Sequence, residues 1–462
     1  MRRASIGIWL TCVAAWGSPA LSAEANGTRG ASFDPAAAER GRIALTLRGF
    51  LKPEWSAPAF AAAGRLWDFP APDFDRDPAA YRTAFERRYG LHPAPYPNDG
   101  LPMGLRRGIN PDGTKSTGFQ VDCMACHGGS IGGRSYVGLG NTQLDLGALG
   151  RDLTTADGRR PPPPVFVVNT SRGTTNAGMM AAVLISLRNS DLSRRIVPLP
   201  LGASFAELDA PAWWLLKRKQ TMYFDGRTNA RSVRTNMQFM LGEKTLQQFK
   251  DLEPTFRDVR EFLLSLEPPR YPFAIDTEKA ERGRTVFSEN CGRCHGTYGP
   301  NGRYPSKIVP LDVIGTDPAR AKGASDRLVA HYNTTWFAEK DPVNPRMTGY
   351  QAPPLDGIWA TAPYLHNGTV PTLHAMLDSS SRPKRFTRPP STGFENYDTT
   401  GVGWKHREVS AAELAATARR SAFEAGFLVD TSRYGMNNDG HTFGDDLTED
   451  ERMDLIEYLK TL

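Results

Sequence analysis

Cysteine and histidine set the chemistry that this chain can do. Four cysteines stand in two copies of one pattern, Cys123-Met124-Ala125-Cys126-His127 and Cys291-Gly292-Arg293-Cys294-His295. Two thiols three positions apart, followed at once by an imidazole, form the attachment site of a c-type haem. The thiols become thioethers to the porphyrin, and the imidazole takes the iron from one face. A single Cys-x-x-Cys would also suit a redox disulfide or half of a zinc site. A second copy, again with its histidine, argues against both. The chain has five cysteines, and the fifth, Cys12, lies in an N-terminal apolar stretch that reads as a removable leader. The two motifs therefore use all the others. The expected cofactors are two covalently bound haems, attached at Cys123, Cys126, Cys291 and Cys294, with His127 and His295 as proximal iron ligands.

Such motifs need a frame, and a repeat supplies it. Ala38-Glu39-Arg40-Gly41-Arg42 opens one predicted helix, and Ala280-Glu281-Arg282-Gly283-Arg284 opens another just before the second motif. Each half also closes alike. Asp258-Val259-Arg260-Glu261-Phe262-Leu263-Leu264-Ser265-Leu266 mirrors Met453-Asp454-Leu455-Ile456-Glu457-Tyr458-Leu459-Lys460-Thr461-Leu462, both with apolar residues at helical spacing. Thr448 and Glu451 form a capping box for the last helix. A helix before the haem motif, crossed by a closing helix, is the frame of a cytochrome c domain. The expected fold is mainly α: two cytochrome c-like domains with long ordered loops, residues 24–270 and 271–462. The boundary falls in Glu267-Pro268-Pro269-Arg270-Tyr271-Pro272. The first domain carries an insertion between its opening helix and Cys123.

Composition agrees with a folded, exported chain. Gly 44 and Pro 36 in 462 residues are high, but 10% aromatic and 40% hydrophobic content supports a core, so ordered loops are expected rather than disorder. The formal charge of +6 includes Arg2 and Arg3, and no basic run is dense enough to suggest nucleic acid. A modest basic excess suits either docking of an acidic redox protein or an ordinary solvated surface. Arg2 and Arg3, the apolar residues 4–16 and the small residues Ala20, Ala23 and Ala25 form a signal peptide, taken as residues 1–23. The mature protein is expected in the periplasm or outside the cell, where c-type haem is attached. No later run reaches ~18 apolar residues, so no integral membrane segment is expected after signal removal.

The run Leu355-Asp356-Gly357-Ile358-Trp359-Ala360-Thr361-Ala362-Pro363-Tyr364-Leu365-His366-Asn367-Gly368-Thr369-Val370-Pro371-Thr372-Leu373 resembles the A-P-Y-[LM]-H-[ND]-G segment of the bacterial di-haem cytochrome c peroxidase superfamily. Gly138-Leu139-Gly140-Asn141-Thr142-Gln143-Leu144-Asp145 and Gly440-His441-Thr442-Phe443-Gly444 are most similar to the rubber-oxygenase branch of that superfamily. The resemblance implies His441 as the distal ligand of the second haem. Gly440 and Gly444 would let backbone approach a flat macrocycle there. Met347, Met376, His331, His366 and His374 compete for the role. His366 reads better as a structural residue that ties its loop and touches a haem propionate. An iron held by two histidines has no open position and suits electron transfer.

The first half offers fewer ligands. His92 reads as a turn histidine beside Pro93, and Met179, Met180, Met222, Met237 and Met240 as core unless one supplies a thioether. An open sixth position at the first iron follows, which the resemblance also favours. Trp214 would relay electrons between haems, wall the first pocket, or simply pack in the core. Asn141, Asn176 and Asn236 are candidates to hydrogen-bond a bound oxygen species. Lys217, Lys219, Arg227 and Arg234 are candidates to pair propionates. The function expected is a haem-dependent oxidoreductase of peroxidase or oxygenase type. It would activate peroxide or dioxygen at the first haem, with an organic substrate as a further partner of that chemistry and a small redox protein as donor. The alternative is a di-haem electron carrier without substrate chemistry.

Overall fold

In the computed structural model, residues 31–161, 171–242 and 244–462 are described. The leader at 1–23, with Arg2, Arg3 and Cys12, lies outside the described residues. The chain is mainly helical, with short two- and three-stranded sheets between the helices. Six helices carry the frame: α1 (Pro35–Leu47), α2 (Pro78–Tyr89), α3 (Leu146–Ala156), α4 (Leu246–Ser265), α5 (Thr277–Asn290) and α6 (Glu449–Leu459).

The repeat legible in the sequence is a repeated helix crossing. Helix α1 crosses α4 at Gly41, where a Cβ would stand 2.0 Å from the carbonyl oxygen of Asp258. Helix α5 crosses α6 at Gly283, where a Cβ would stand 1.9 Å from the carbonyl oxygen of Asp454. Only glycine permits backbone to touch backbone this closely. The neighbouring contacts repeat as well. Arg40 forks the Asp258 carboxylate at 2.8 and 2.9 Å, and Arg282 forks Asp454 at 2.7 and 2.8 Å. The backbone N–H of the cap residue Asp34 donates to Glu261 at 3.1 Å, and that of Asp276 to Glu457 at 3.0 Å. Ion pairs this exposed add little net stability. They set the register, while burial of Leu45, Val259, Phe262 and Leu263 against Met103 and Met124 supplies ~1.5–3 kcal/mol per large side chain. Helix α6 begins at its capping box, and α4 starts earlier than its closing run suggested, at the box of Thr245 and Gln248, running through Pro254.

The insertion is a small core of its own rather than a loop. It holds the helix Ala57–Ala62, helix α2 and a hairpin of β1 (Leu105–Ile109) and β2 (Lys115–Val121). Trp55, Phe60, Trp67, Tyr81, Phe85, Tyr89 and Phe119 pack there against Leu149 and Leu153 of α3. A second hairpin, β3 (Gly128–Ile131) and β4 (Arg134–Val137), follows the first motif directly.

Residues on both sides of position 270 share a core. Ile131, Leu139, Ala212 and Trp214 pack in one cluster with Trp359, Tyr364, Tyr397, Trp404 and Leu455. The Pro-rich stretch between the halves is itself packed: the Trp359 indole donates to the Pro269 carbonyl at 2.9 Å, and the Tyr271 hydroxyl to that of Thr399 at 3.2 Å.

Candidate haem sites

Both motifs fold as a single helical turn, Met124–His127 after Cys123 and Gly292–His295 after Cys291. The first turn is nucleated by Asp122, whose carboxylate accepts from the Met124 N–H at 2.8 Å and is held by Arg106 at 2.8 Å. Each motif histidine is then aimed by a prolyl carbonyl. Nδ1 of His127 lies 3.1 Å from the Pro211 oxygen, and Nδ1 of His295 lies 2.8 Å from that of Pro353. A proton shared with the carbonyl must sit on Nδ1, which leaves the Nε2 lone pair for a metal. Burial lowers the His127 pKa to about 4, only partly offset by Pro211. It also pushes the thiols of Cys126 and Cys291 up to about 11. The imidazole therefore stays in its neutral, metal-binding form.

The two sites differ in what faces the imidazole. His295 confronts His441, ring centre to ring centre 6.1 Å, at an interplanar angle of 58°. That span suits one metal ion held between them, at roughly 2.0–2.1 Å per metal–nitrogen bond. Nδ1 of His441 is buried without a hydrogen-bond partner. Burial, then the nearby His295, lowers its pKa to about 3. The segment is built to hold this ring. His441 sits at φ +46, its N–H donates to the Ile314 carbonyl at 2.7 Å, and Arg382 gathers the carbonyls of Asn438, Gly440 and His441. The flanking glycines serve a different end from the one expected. A Cβ on Gly440 would meet the Gly315 carbonyl carbon at 2.2 Å, and one on Gly444 the Leu377 oxygen at 2.5 Å. They let backbone approach backbone. Two competitors are engaged elsewhere: Nε2 of His374 lies 3.0 Å from Glu449, and Nε2 of His331 lies 2.9 Å from the Arg188 carbonyl.

His127 instead stacks on Trp213, ring centres 4.7 Å apart and planes 24° from parallel. His92, expected in a turn, instead pairs with Met103 in a β-bridge and is buried with Nε2 3.1 Å from Oδ1 of Asn141. Asn141 does not fit the oxygen-binding role. Its amide group donates to the carbonyls of Gly90 at 2.8 Å and Ala125 at 2.9 Å, while Oδ1 accepts from the Gln143 N–H. Both amide protons are engaged, so Asn141 braces the first motif from inside and has none left for a ligand. Asn176 caps the helix Ala177–Ser186 and donates to Phe205. Met237 and Met240 are buried in the apolar cluster around Phe249 and Trp336, and Met179 packs against it.

Trp214 is buried, and its indole donates to the Asp356 carbonyl at 2.8 Å. Arg218 pairs with the Asp356 carboxylate at 2.9 Å and lies over the Tyr298 ring at 4.8 Å. The Tyr298 hydroxyl in turn donates to the His295 carbonyl at 3.3 Å. Adjacent tryptophans thus touch both sites, Trp213 at the first imidazole and Trp214 at the residues supporting the second. Sequence reasoning missed Trp213, although its place two residues after Pro211 was visible. Of the four propionate candidates, Lys217 pairs with Glu267, and Arg234 with Glu253 and Glu339. Lys219 and Arg227 are buried beside Asp225.

Residues 349–387, which include the A-P-Y-L-H-N-G run, match a family model described as RoxA-like, cytochrome c-like. The match relates this chain to RoxA-like cytochromes and implies covalently bound haem. Two uncharacterized proteins of Sinorhizobium fredii (strain NBRC 101917 / NGR234) are similar. One, y4iJ, is 31% identical over 284 residues, 47% of this chain and 44% of its own length. The other, y4iM, is 32% identical over 243 residues, 44% of this chain and 53% of its own. The matched regions thus span about half the length of these relatives. Among solved structures, Kuenenia stuttgartiensis hydrazine synthase pressurized with xenon aligns over 61% of this chain and 86% of that one. Its identity is 14% and its TM-score 0.20, too slight to describe the fold. Among the described residues, no helix is long and apolar enough to cross a membrane.

Proposed function

From the relationship to RoxA-like cytochromes, we propose that the chain is a periplasmic di-haem oxidoreductase of the di-haem cytochrome c peroxidase superfamily, nearest its rubber-oxygenase branch. It comprises two cytochrome c-like domains, 24–270 and 271–462. Peroxide or dioxygen reacts at the haem of His127, an organic substrate is the target of that chemistry, and a small redox protein is the donor. The haem between His295 and His441 stores and delivers electrons.

One observation carries this division of labour: His295 faces a second imidazole across a span that suits a metal, whereas the ring contact of His127 is an indole stacked on its own face rather than a second ligand. Haem supplies an iron that passes electrons when both axial positions are filled and binds oxygen species when one is free. The protein does the rest. Pro211 and Pro353 hold the Nδ1 protons and so fix each imidazole's direction and basicity. Trp213, Trp214, Asp356, Arg218 and Tyr298 form a chain of contacts from His127 to His295.

Spin-resonance spectra of the oxidised protein, with and without cyanide, test the reading. One high-spin and one low-spin ferric signal are expected per chain, with cyanide converting only the former. Two low-spin signals indifferent to cyanide would make the protein an electron carrier.

A further inference from the structure

Beside the second site lies a buried cluster with more positive charge than it can neutralise. Lys219, Arg227 and Arg320 are 8%, 7% and 5% exposed, and Asp225, among them, is 0% exposed. Arg227 reaches Asp225 at 2.8 Å and Arg320 reaches it at 3.3 Å. Three cations face Asp225, and the one further buried acid close by is Asp317, three residues before Arg320, which still leaves the cluster positive. An uncompensated buried charge is strongly destabilising. Moreover, Nε and Nη1 of Arg320, Nε2 of His366 and Oγ1 of Thr316 are buried without hydrogen-bond partners. These are the donors that a dianionic group would occupy.

The cluster's place in the fold says which dianion. Arg320 precedes Ala321, which packs with Val309, Ile314 and Tyr350 and with the half-buried Cys294 and Phe443. That wall runs from the second attachment motif to the residue two beyond His441. Thr316 follows Ile314, whose carbonyl holds the His441 backbone, and the Tyr350 ring stacks on His366 at 4.5 Å. The other buried arginines answer to a different task. Arg388 donates to the carbonyls of Thr142 and Arg172 and so joins the two halves, and Arg172 donates to the Arg88 carbonyl within the first.

We propose that Lys219, Arg227 and Arg320, with His366 and Thr316, bind the two propionate carboxylates of the haem attached at Cys291 and Cys294. The proposal rests on the di-haem reading above. A cation at the propionates favours the ferrous state, which carries one positive charge fewer, so its loss should lower that haem's potential.

The experiment is an optical redox titration of Arg320→Gln and Lys219→Gln, with intact mass to count haems. Two covalent haems should remain, and the midpoint of the low-spin haem alone should fall in both variants. Arg320→Lys, which keeps the charge, should retain most of the wild-type potential, and Lys217→Gln, on the exposed Glu267 pair, all of it. An unchanged low-spin midpoint in both glutamine variants, or a shift confined to the other haem, overturns the proposal. Should those variants fail to fold, resonance Raman of the wild type decides. Propionate bending bands of that haem at the frequency of strongly hydrogen-bonded carboxylates support the proposal, and solvent-like bands overturn it. One haem per wild-type chain would refute the di-haem reading itself, separately from any shift.

Discussion

The two halves place the same frame around different contents. Gly41 on Asp258 and Gly283 on Asp454 make the same crossing, Arg40 and Arg282 make the same fork, and Pro211 and Pro353 hold the same histidine nitrogen. Beyond that frame the halves part. The second presents His441 to His295, and the first presents Trp213 to His127 and adds an aromatic insertion. The helices and carbonyls position an imidazole, and the loops decide what it can coordinate with. The two sites therefore differ through the segments that do not repeat.

The equivalence can be broken at its glycines. Gly41→Val and Gly283→Val should each cost more than ~4 kcal/mol, since neither backbone can yield the space a Cβ needs. Thermal unfolding of both variants should show comparable losses, and one tolerant glycine would mean that the two crossings do not share the load. The contrast between sites comes next. His441→Ala should turn one low-spin signal high-spin and leave the first haem's spectrum unchanged. His127→Ala should abolish cyanide binding and turnover while Cys123 and Cys126 still hold the haem. If His441→Ala keeps both signals, the second iron takes its ligand elsewhere.

A smaller effect concerns Asp209, whose pKa burial raises to about 8 against the opposing pull of Arg388. A folded-state pKa above the unfolded value makes the contribution to stability complete below pH ~4, and it is lost as pH rises towards 8. Asp209→Asn should flatten the fall in melting temperature across that window, and an unaltered slope would place the titration on another group. The smallest effect is expected at Trp214. Replacement by phenylalanine keeps a ring but removes the bond to the Asp356 carbonyl, worth ~0.5–1.5 kcal/mol. Electron exchange between haems should slow in flash-reduction measurements, with cyanide binding intact.

Much of the frame was legible because it is written twice. The Ala-Glu-Arg-Gly-Arg repeats mark both crossings, and the glycine that makes each contact stands in register. The aromatic core of the insertion was not legible, since its rings from Trp55 to Phe119 have no shared period and meet only in three dimensions. The prolyl carbonyls left little trace either, because a backbone acceptor has no side-chain signature. Asn141 misled for a related reason. An amide in a Gly-rich segment looks available for a ligand, and only coordinates reveal that Gly90 and Ala125 occupy its protons. Arg320 escaped notice because the cation search followed the chain near Trp214, whereas the cluster draws its third cation from the other half.

The core shared across position 270 has a consequence for assembly. Cys291 packs against the same cluster that unites Leu139 and Trp214 with Trp359 and Tyr364. Cys291 itself is only half-buried, so its thiol lies at the margin of the joined cores. A chain severed at the Pro-rich stretch would leave Trp214 and Leu139 bare to water, so each half needs the other to cover its apolar surface.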